Sequence, residues 1–121
     1  MAYVSKELKA VLTPGIKAVL KKYDMKGTIA VNNHSTLVVN LKQGPIDFKN
    51  DATGNDFHYQ VNTYHIDRGY KGQAANFLNE LVAAMKGEEW YDRSDAMVDY
   101  FDTAYYLDVN IGKWNKGYEV V

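Results

Sequence analysis

An α+β domain, with a small antiparallel sheet of about four strands and helices packed on one of its faces, is the fold class this sequence predicts. Three observations carry the prediction. Apolar residues recur at helical spacing in two stretches, one near the N-terminus and one from Ala74 to Met85. Four other stretches alternate apolar and polar residues with the period of a half-buried strand. The two kinds of stretch follow one another as α-β-β-β-α-β, with no linker, low-complexity tract or internal repeat, so residues 1–121 read as a single domain.

The first helix begins at Ser5, a residue type whose hydroxyl caps helix N-termini, and Val4, Leu8, Val11 and Leu12 then fall on one stripe. Thr13-Pro14 repeats the start signal, because Thr caps well and Pro is tolerated at a first helical position but not in an interior. Two short helices or one kinked helix therefore fit. Ile16, Val19, Leu20 and Tyr23 continue the apolar face, the lysines lie outside it, and Asp24 and Gly27 end it.

Ile29 and Val31 share one face of Thr28 to Asn32, and Leu37, Val39 and Leu41 one face of Thr36 to Leu41, with Asn33-His34-Ser35 as the hairpin turn between. Gln43-Gly44-Pro45 closes the second strand. Lys49 to Asp56 is a polar loop or wide hairpin turn, after which His58 to Tyr64 alternates as a third strand. Gly72 to Met85 forms the second long helix on the stripe Ala74, Phe77, Leu78, Leu81, Val82 and Met85, stopped at Gly87. In the last strand Tyr105, Leu107, Val109 and Ile111 face one way and Tyr106, Asp108 and Asn110 the other.

Composition excludes some function classes. The formal charge is −1 and the pI about 6.3, so there is no global basic excess of the kind that draws a protein to nucleic acid or membrane. No cysteine is present, which removes disulfides, thiolate nucleophiles and Cys-based zinc sites, and a reducing cytoplasm is the expected compartment. Lys6, Glu7 and Lys9 interrupt any N-terminal apolar run, and no stretch approaches the roughly 20 apolar residues of a spanning helix, so no membrane association is expected.

Charge is nevertheless unevenly placed. Lys6, Lys9, Lys17, Lys21, Lys22 and Lys26 outnumber Glu7 and Asp24 at the start of the chain, whereas Glu88, Glu89, Asp92, Asp95, Asp99, Asp102 and Asp108 surround the lone Arg93 near its end. The basic helix is a candidate for salt-sensitive, sequence-blind contact with phosphates. The acidic segment, interleaved with Trp90, Tyr91 and Tyr100, has the makings of a recognition surface for a basic protein partner.

Catalytic and metal chemistry find little support. His34, His58 and His65 lack ligand spacing, and the spacing of Asp92, Asp95, Asp99 and Asp102 does not match a calcium loop, so no metal or other cofactor is expected. His34 adjoins Ser35 and Thr36, but neighbours in a hairpin point apart and make no nucleophile–base pair. Gly69-Tyr70-Lys71-Gly72 leads into a helix start that could hold a stray anion without being a P-loop. The helix-strand-strand-strand-helix order parallels that of double-stranded RNA-binding domains, yet the second helix lacks their basic start and the likeness is one of topology only.

His34-Ser35-Thr36 behind a Gly27-led strand, the blocks Tyr91-Asp92-Arg93-Ser94-Asp95 and Asp99-Tyr100-Phe101-Asp102, and the ending Val109-Asn110-Ile111-Gly112-Lys113-Trp114-Asn115-Lys116-Gly117-Tyr118 together resemble the large polyvalent-protein-associated domains of bacteriophages and mobile elements. The resemblance implies a protein acting in the cytoplasm of a bacterial host cell, and it brings no catalytic residues with it. On this reading the chain is a phage-encoded, non-catalytic binding protein, a counter-defence inhibitor that engages a host protein through Trp90, Tyr91, Asp92, Asp95, Asp99, Tyr100 and Asp102. The alternative is a nucleic-acid-binding accessory protein that uses Lys6, Lys9, Lys17, Lys21 and Lys22. Either a monomer or a homodimer paired through the last strand is compatible with the pattern.

Overall fold

The computed structural model describes residues 3–52, 60, 61, 63, 66–87, 90, 104–113 and 116–121. Helix α1 spans Lys6–Lys22, strands β1 and β2 Lys26–Asn32 and Thr36–Gly44, short helices α2 and α3 Phe48–Asp51 and Ile66–Gly69, helix α4 Gly72–Lys86, and strands β3, β4 and β5 Tyr106–Lys113, Lys116–Gly117 and Glu119–Val120. The expected α+β class is the class observed.

Both ends of α1 follow from local chemistry. Ser5 accepts the Leu8 N–H at 3.0 Å, as its position predicts. Thr13 does not start a second helix: its hydroxyl donates to the Lys9 carbonyl at 2.7 Å, and Pro14 sits inside one continuous helix. At the far end Asp24 adopts a left-handed conformation (φ 57°), its N–H bonding to the Lys21 carbonyl and that of Met25 to the Leu20 carbonyl. This is a Schellman ending with Asp in the place glycine usually takes, closed by the buried pair Leu20 and Met25. Val11, placed on the apolar stripe by spacing, is instead 74% exposed, because Leu12, Ile16 and Leu20 form the buried line.

β1 and β2 pair as an antiparallel hairpin, Ile29 opposite Val39 and Val31 opposite Leu37. Asn33 and His34 both have positive φ (54° and 60°), and the Ser35 N–H returns to the Asn32 carbonyl, which is the type I′ turn suited to strand twist. The sheet is mixed rather than wholly antiparallel. β3 runs parallel to β2, Thr36 opposite Tyr106 through Leu41 opposite Ile111, since α4 carries the chain back before β3 begins. β4 folds back on the end of β3, and β5 lies parallel to Gln43 and Gly44 at the end of β2, two short pairings that the sequence pattern did not suggest.

Of the expected third strand only Gln60, Val61 and Thr63 are described. Gln60 makes an antiparallel bridge to Asn110, and the Val61 N–H bonds to the Val109 carbonyl, so these residues lie along the outer side of β3, and the rest of the expected strand lies outside the described residues. β3 is thus flanked by β2 on one side and by Gln60 and β4 on the other, and β1 lies at the edge of the sheet. A homodimer paired through β3, one of the two states the sequence pattern leaves open, would have to displace those neighbours.

One face of the sheet is covered by α1 and α4. Leu37, Val39, Leu41, Val109 and Ile111 meet Leu12, Ile16 and Leu20 from α1 and Phe77, Leu78, Leu81 and Met85 from α4, all buried. Tyr106, Asp108 and Asn110 occupy the other face, where Asn110 donates to Asn40 and Gln60 to Asp108, both at 3.0 Å. Period-two alternation therefore sorted β3 correctly.

Candidate functional site: a lysine-lined trough between α1 and β1

The fourth-residue repeat Lys9, Thr13, Lys17, Lys21 builds a row along α1, because each four-residue step advances about 6 Å along a helix and only about 40° around it. The buried line Leu12, Ile16, Leu20 fixes which way that row points, and it faces the side of α1 next to β1. Between the two elements runs a trough. Its first part, about 530 Å³, is lined by Lys17, Lys21, Lys26 and Lys42 with Asp24 at the helix end. Its continuation, about 200 Å³, is lined by Lys9, Thr13 and Lys17, and the two parts share Lys17, Leu20 and Gly27.

Three elements supply the cations. Lys26 comes from the first position of β1, and Lys42 from β2 at an irregularity in the ladder: Lys26 pairs with Gln43 and Gly27 with Leu41, so the register skips Lys42. Such bulges re-aim side chains. Gly27 is required at this point, because a Cβ there would lie 2.7 Å from the Asn40 carbonyl oxygen. The floor is apolar, formed by Leu20, Met25 and Ile29, and the aliphatic stems of the lysines can lie over it while their ammonium groups stay in water. Asp24 is the single carboxylate among the lining residues.

The structure separates the expected basic residues into two groups. Lys9, Lys17 and Lys21 line the trough, and Lys6 is exposed on the first turn of the same helix. Lys22 does not belong with them. Its ammonium lies 2.6 Å from Glu80 on α4, and Tyr23 donates to the other oxygen of the same carboxylate. Those two donors hold the Glu80 carboxyl below its ordinary range, and the Glu80 carboxylate raises both Lys22 and Tyr23. Lys26 and Lys42 were missing from the sequence-derived set. Lys26 follows the helix end in the chain and was legible as part of the basic excess, whereas nothing in the sequence marks Lys42 before the β-bulge is known.

Of the acidic aromatic set, Tyr91, Asp92, Asp95, Asp99, Tyr100 and Asp102 lie outside the described residues. Trp90 is half-buried; its indole N–H donates to the Tyr105 carbonyl at 2.8 Å and the Lys86 ammonium stands 4.6 Å from its ring centre. Its polar edge is thus engaged within the fold. His34 is exposed at the hairpin tip, and His58 and His65 lie outside the described residues, as does any metal arrangement they would form. The helix start at Gly72 already has its anion, since the Asp51 carboxylate accepts the Ala74 N–H at 3.2 Å. No helix among the described residues is long and apolar enough to cross a membrane.

Fold and site together define a small α+β protein with a cationic trough beside the edge strand of a mixed sheet. No family model, curated protein or solved structure matches the chain, so the resemblance to phage and mobile-element domains adds no residue to the site.

Proposed function

We propose that this protein is a nucleic-acid-binding accessory protein whose trough between α1 and β1 holds phosphate groups of the backbone. The observation that carries the reading is convergence: Lys17, Lys21, Lys26 and Lys42, from three separate elements, line one depression with a single carboxylate among them, and Lys9 lines the adjoining one, which shares Lys17. Like charges gathered on one surface repel, and a polyanion relieves that repulsion while releasing its condensed counterions. With a net charge of −1 the attraction is local to this face, so binding is salt-sensitive and independent of base sequence.

Fluorescence anisotropy with a labelled oligonucleotide tests the reading. Lys17→Glu with Lys21→Glu should abolish binding, and Asp95→Lys with Asp99→Lys should leave it intact. If the lysine pair changes nothing while the aspartate pair removes binding to a host protein, the acidic aromatic segment is the working surface instead.

A further inference from the structure

Resting on the proposed phosphate contact, we infer that a second copy of the chain pairs along the free edge of β1, and that its trough joins the first as one polyanion site across the twofold axis. β1 bonds to β2 alone among the strands, and no other backbone hydrogen bond among the described residues involves Thr28 to Val31. An edge of this kind presents a row of open N–H and C=O groups to an extended chain. What selects a second copy is the stretch Thr28-Ile29-Ala30-Val31-Asn32, whose polarity reads the same in both directions. Paired antiparallel about Ala30, two copies set Ile29 opposite Val31 twice and Thr28 opposite Asn32 twice, with no like charges opposed. Ile29 and Val31 are only partly buried in one chain, and the second strand covers them. Lys26 and the bulge beside it, common protections of an edge, stand outside the paired stretch.

Antiparallel neighbours in one sheet are related by an axis perpendicular to it, so both α1 helices stand on the same face. α4 lies against the far side of each α1, where Gly15 meets Ala84 and Lys22 bonds to Glu80, and the side bearing Lys9, Thr13 and Lys17 is turned to β1. The two troughs therefore flank the seam between the two β1 strands, and a polyanion crossing that seam meets lysines of both copies. Five paired residues bury little beside a standard interface, and lysines gathered at the seam repel, so the pairing is weak in the protein alone. A bound polyanion neutralises the lysines and holds two copies at high effective concentration. Dimerisation and polyanion binding thus reinforce one another.

The chain has no cysteine, so single introduced thiols report the pairing without interference. Ala30 is exposed, and across the axis its Cα would lie about 4.5–5.5 Å from its copy, within disulfide reach. Under diamide, Ala30→Cys should form covalent dimer at least about tenfold faster than Val11→Cys, whose exposed side chain lies about 200° around α1 from Thr13. At low salt an oligonucleotide with a duplex stem and a dT12 tail should speed the Ala30→Cys reaction more than the Val11→Cys one. Mixing Thr28→Cys with Asn32→Cys protein should give the mixed dimer in excess over either homodimer, which fixes the register even where Ala30→Cys fails to fold. Equal rates at positions 30 and 11 with no excess of the mixed dimer, from protein that binds the oligonucleotide, would overturn the edge pairing and leave the phosphate contact standing. Specific dimer whose rate the bound oligonucleotide does not change would overturn the joined site. Specific dimer from protein that binds no oligonucleotide would overturn the phosphate contact and the joined site with it.

Discussion

Replacing Tyr105 with Phe removes one oxygen from the junction of α4 and β3, and its effect can be worked out atom by atom. Tyr105 is 3% exposed, and its hydroxyl shares one proton between the carbonyls of Met85 at 2.6 Å and Lys86 at 2.8 Å. Both belong to the last turn of α4, where carbonyls have no partner within the helix. Phe keeps the ring and its packing but leaves those carbonyls short of a donor in a dry setting. The lost bond and the desolvated acceptor together cost about 2 kcal/mol. With a urea m-value of about 1.5 kcal/mol/M, reasonable for this size, the midpoint should fall by about 1.3 M. The indole bond of Trp90 goes to the Tyr105 main chain and survives the change, so tryptophan fluorescence can follow unfolding in both proteins.

The same hydroxyl predicts a pH dependence. Burial pushes the Tyr105 hydroxyl up to about 12, from an ordinary value of 10 in the unfolded chain. A group whose folded pKa is raised contributes its full stability below the unfolded value and loses it as pH rises toward the folded one, so the loss falls between about pH 10 and 12. The difference between wild type and Tyr105→Phe should therefore be constant to about pH 9.5 and narrow above 10. Tyr118, raised to about 12 by burial, titrates in both proteins and cancels. A midpoint within about 0.2 M of wild type, or a gap that widens above pH 10, would refute the reasoning.

Asp24→Gly should raise stability by about 0.5 kcal/mol in chemical denaturation, because relief of the left-handed strain and removal of a carboxylate from a helix C-terminus outweigh the added freedom of glycine in the unfolded chain. It should also tighten binding of the labelled oligonucleotide, since the trough loses its one lining carboxylate; weaker binding would contradict the site. Gly87→Ala should cost about 2 kcal/mol in the same assay, because Gly87 holds φ 64° and ψ −153° and a Cβ there would lie 2.7 Å from a Leu12 methyl. Glu80→Ala removes both acceptors and releases Lys22 and Tyr23 outside the lining of the trough, so oligonucleotide affinity should stay at the wild-type value; a marked gain would place Lys22 in the site after all.

Half of the trough was legible in the chain. The basic excess of the first helix marked Lys9, Lys17 and Lys21 in the sequence, together with Lys6 and Lys22, and the four-residue spacing of Lys9, Thr13, Lys17 and Lys21 accounts for three of the five sharing one wall. Lys22 belonged to the same basic excess, yet one residue turns a helix by about 100° and carries Lys22 toward Glu80, far along the chain in α4. Lys42 was invisible because its place depends on a skipped position in the pairing of β1 with β2, a property of two strands together.

By itself the sequence determined the local devices and the faces. The Ser5 cap, the apolar stripe of α4, the Gly87 stop and the two sides of β3 each depend on residues within a turn or two of one another, and period and capping chemistry specify them. Tertiary structure decided what joins what: the parallel placement of β3 beside β2, the Asp51 carboxylate at the start of α4, and the wall of lysines opposite α1. Local periodicity says which side of a strand is apolar and nothing about its neighbour or direction, because either direction of pairing buries the same side chains. Packing of α4 across the sheet selected the parallel arrangement, and the trough exists because α1, packed on that same sheet, leaves its lysine row beside the edge strand.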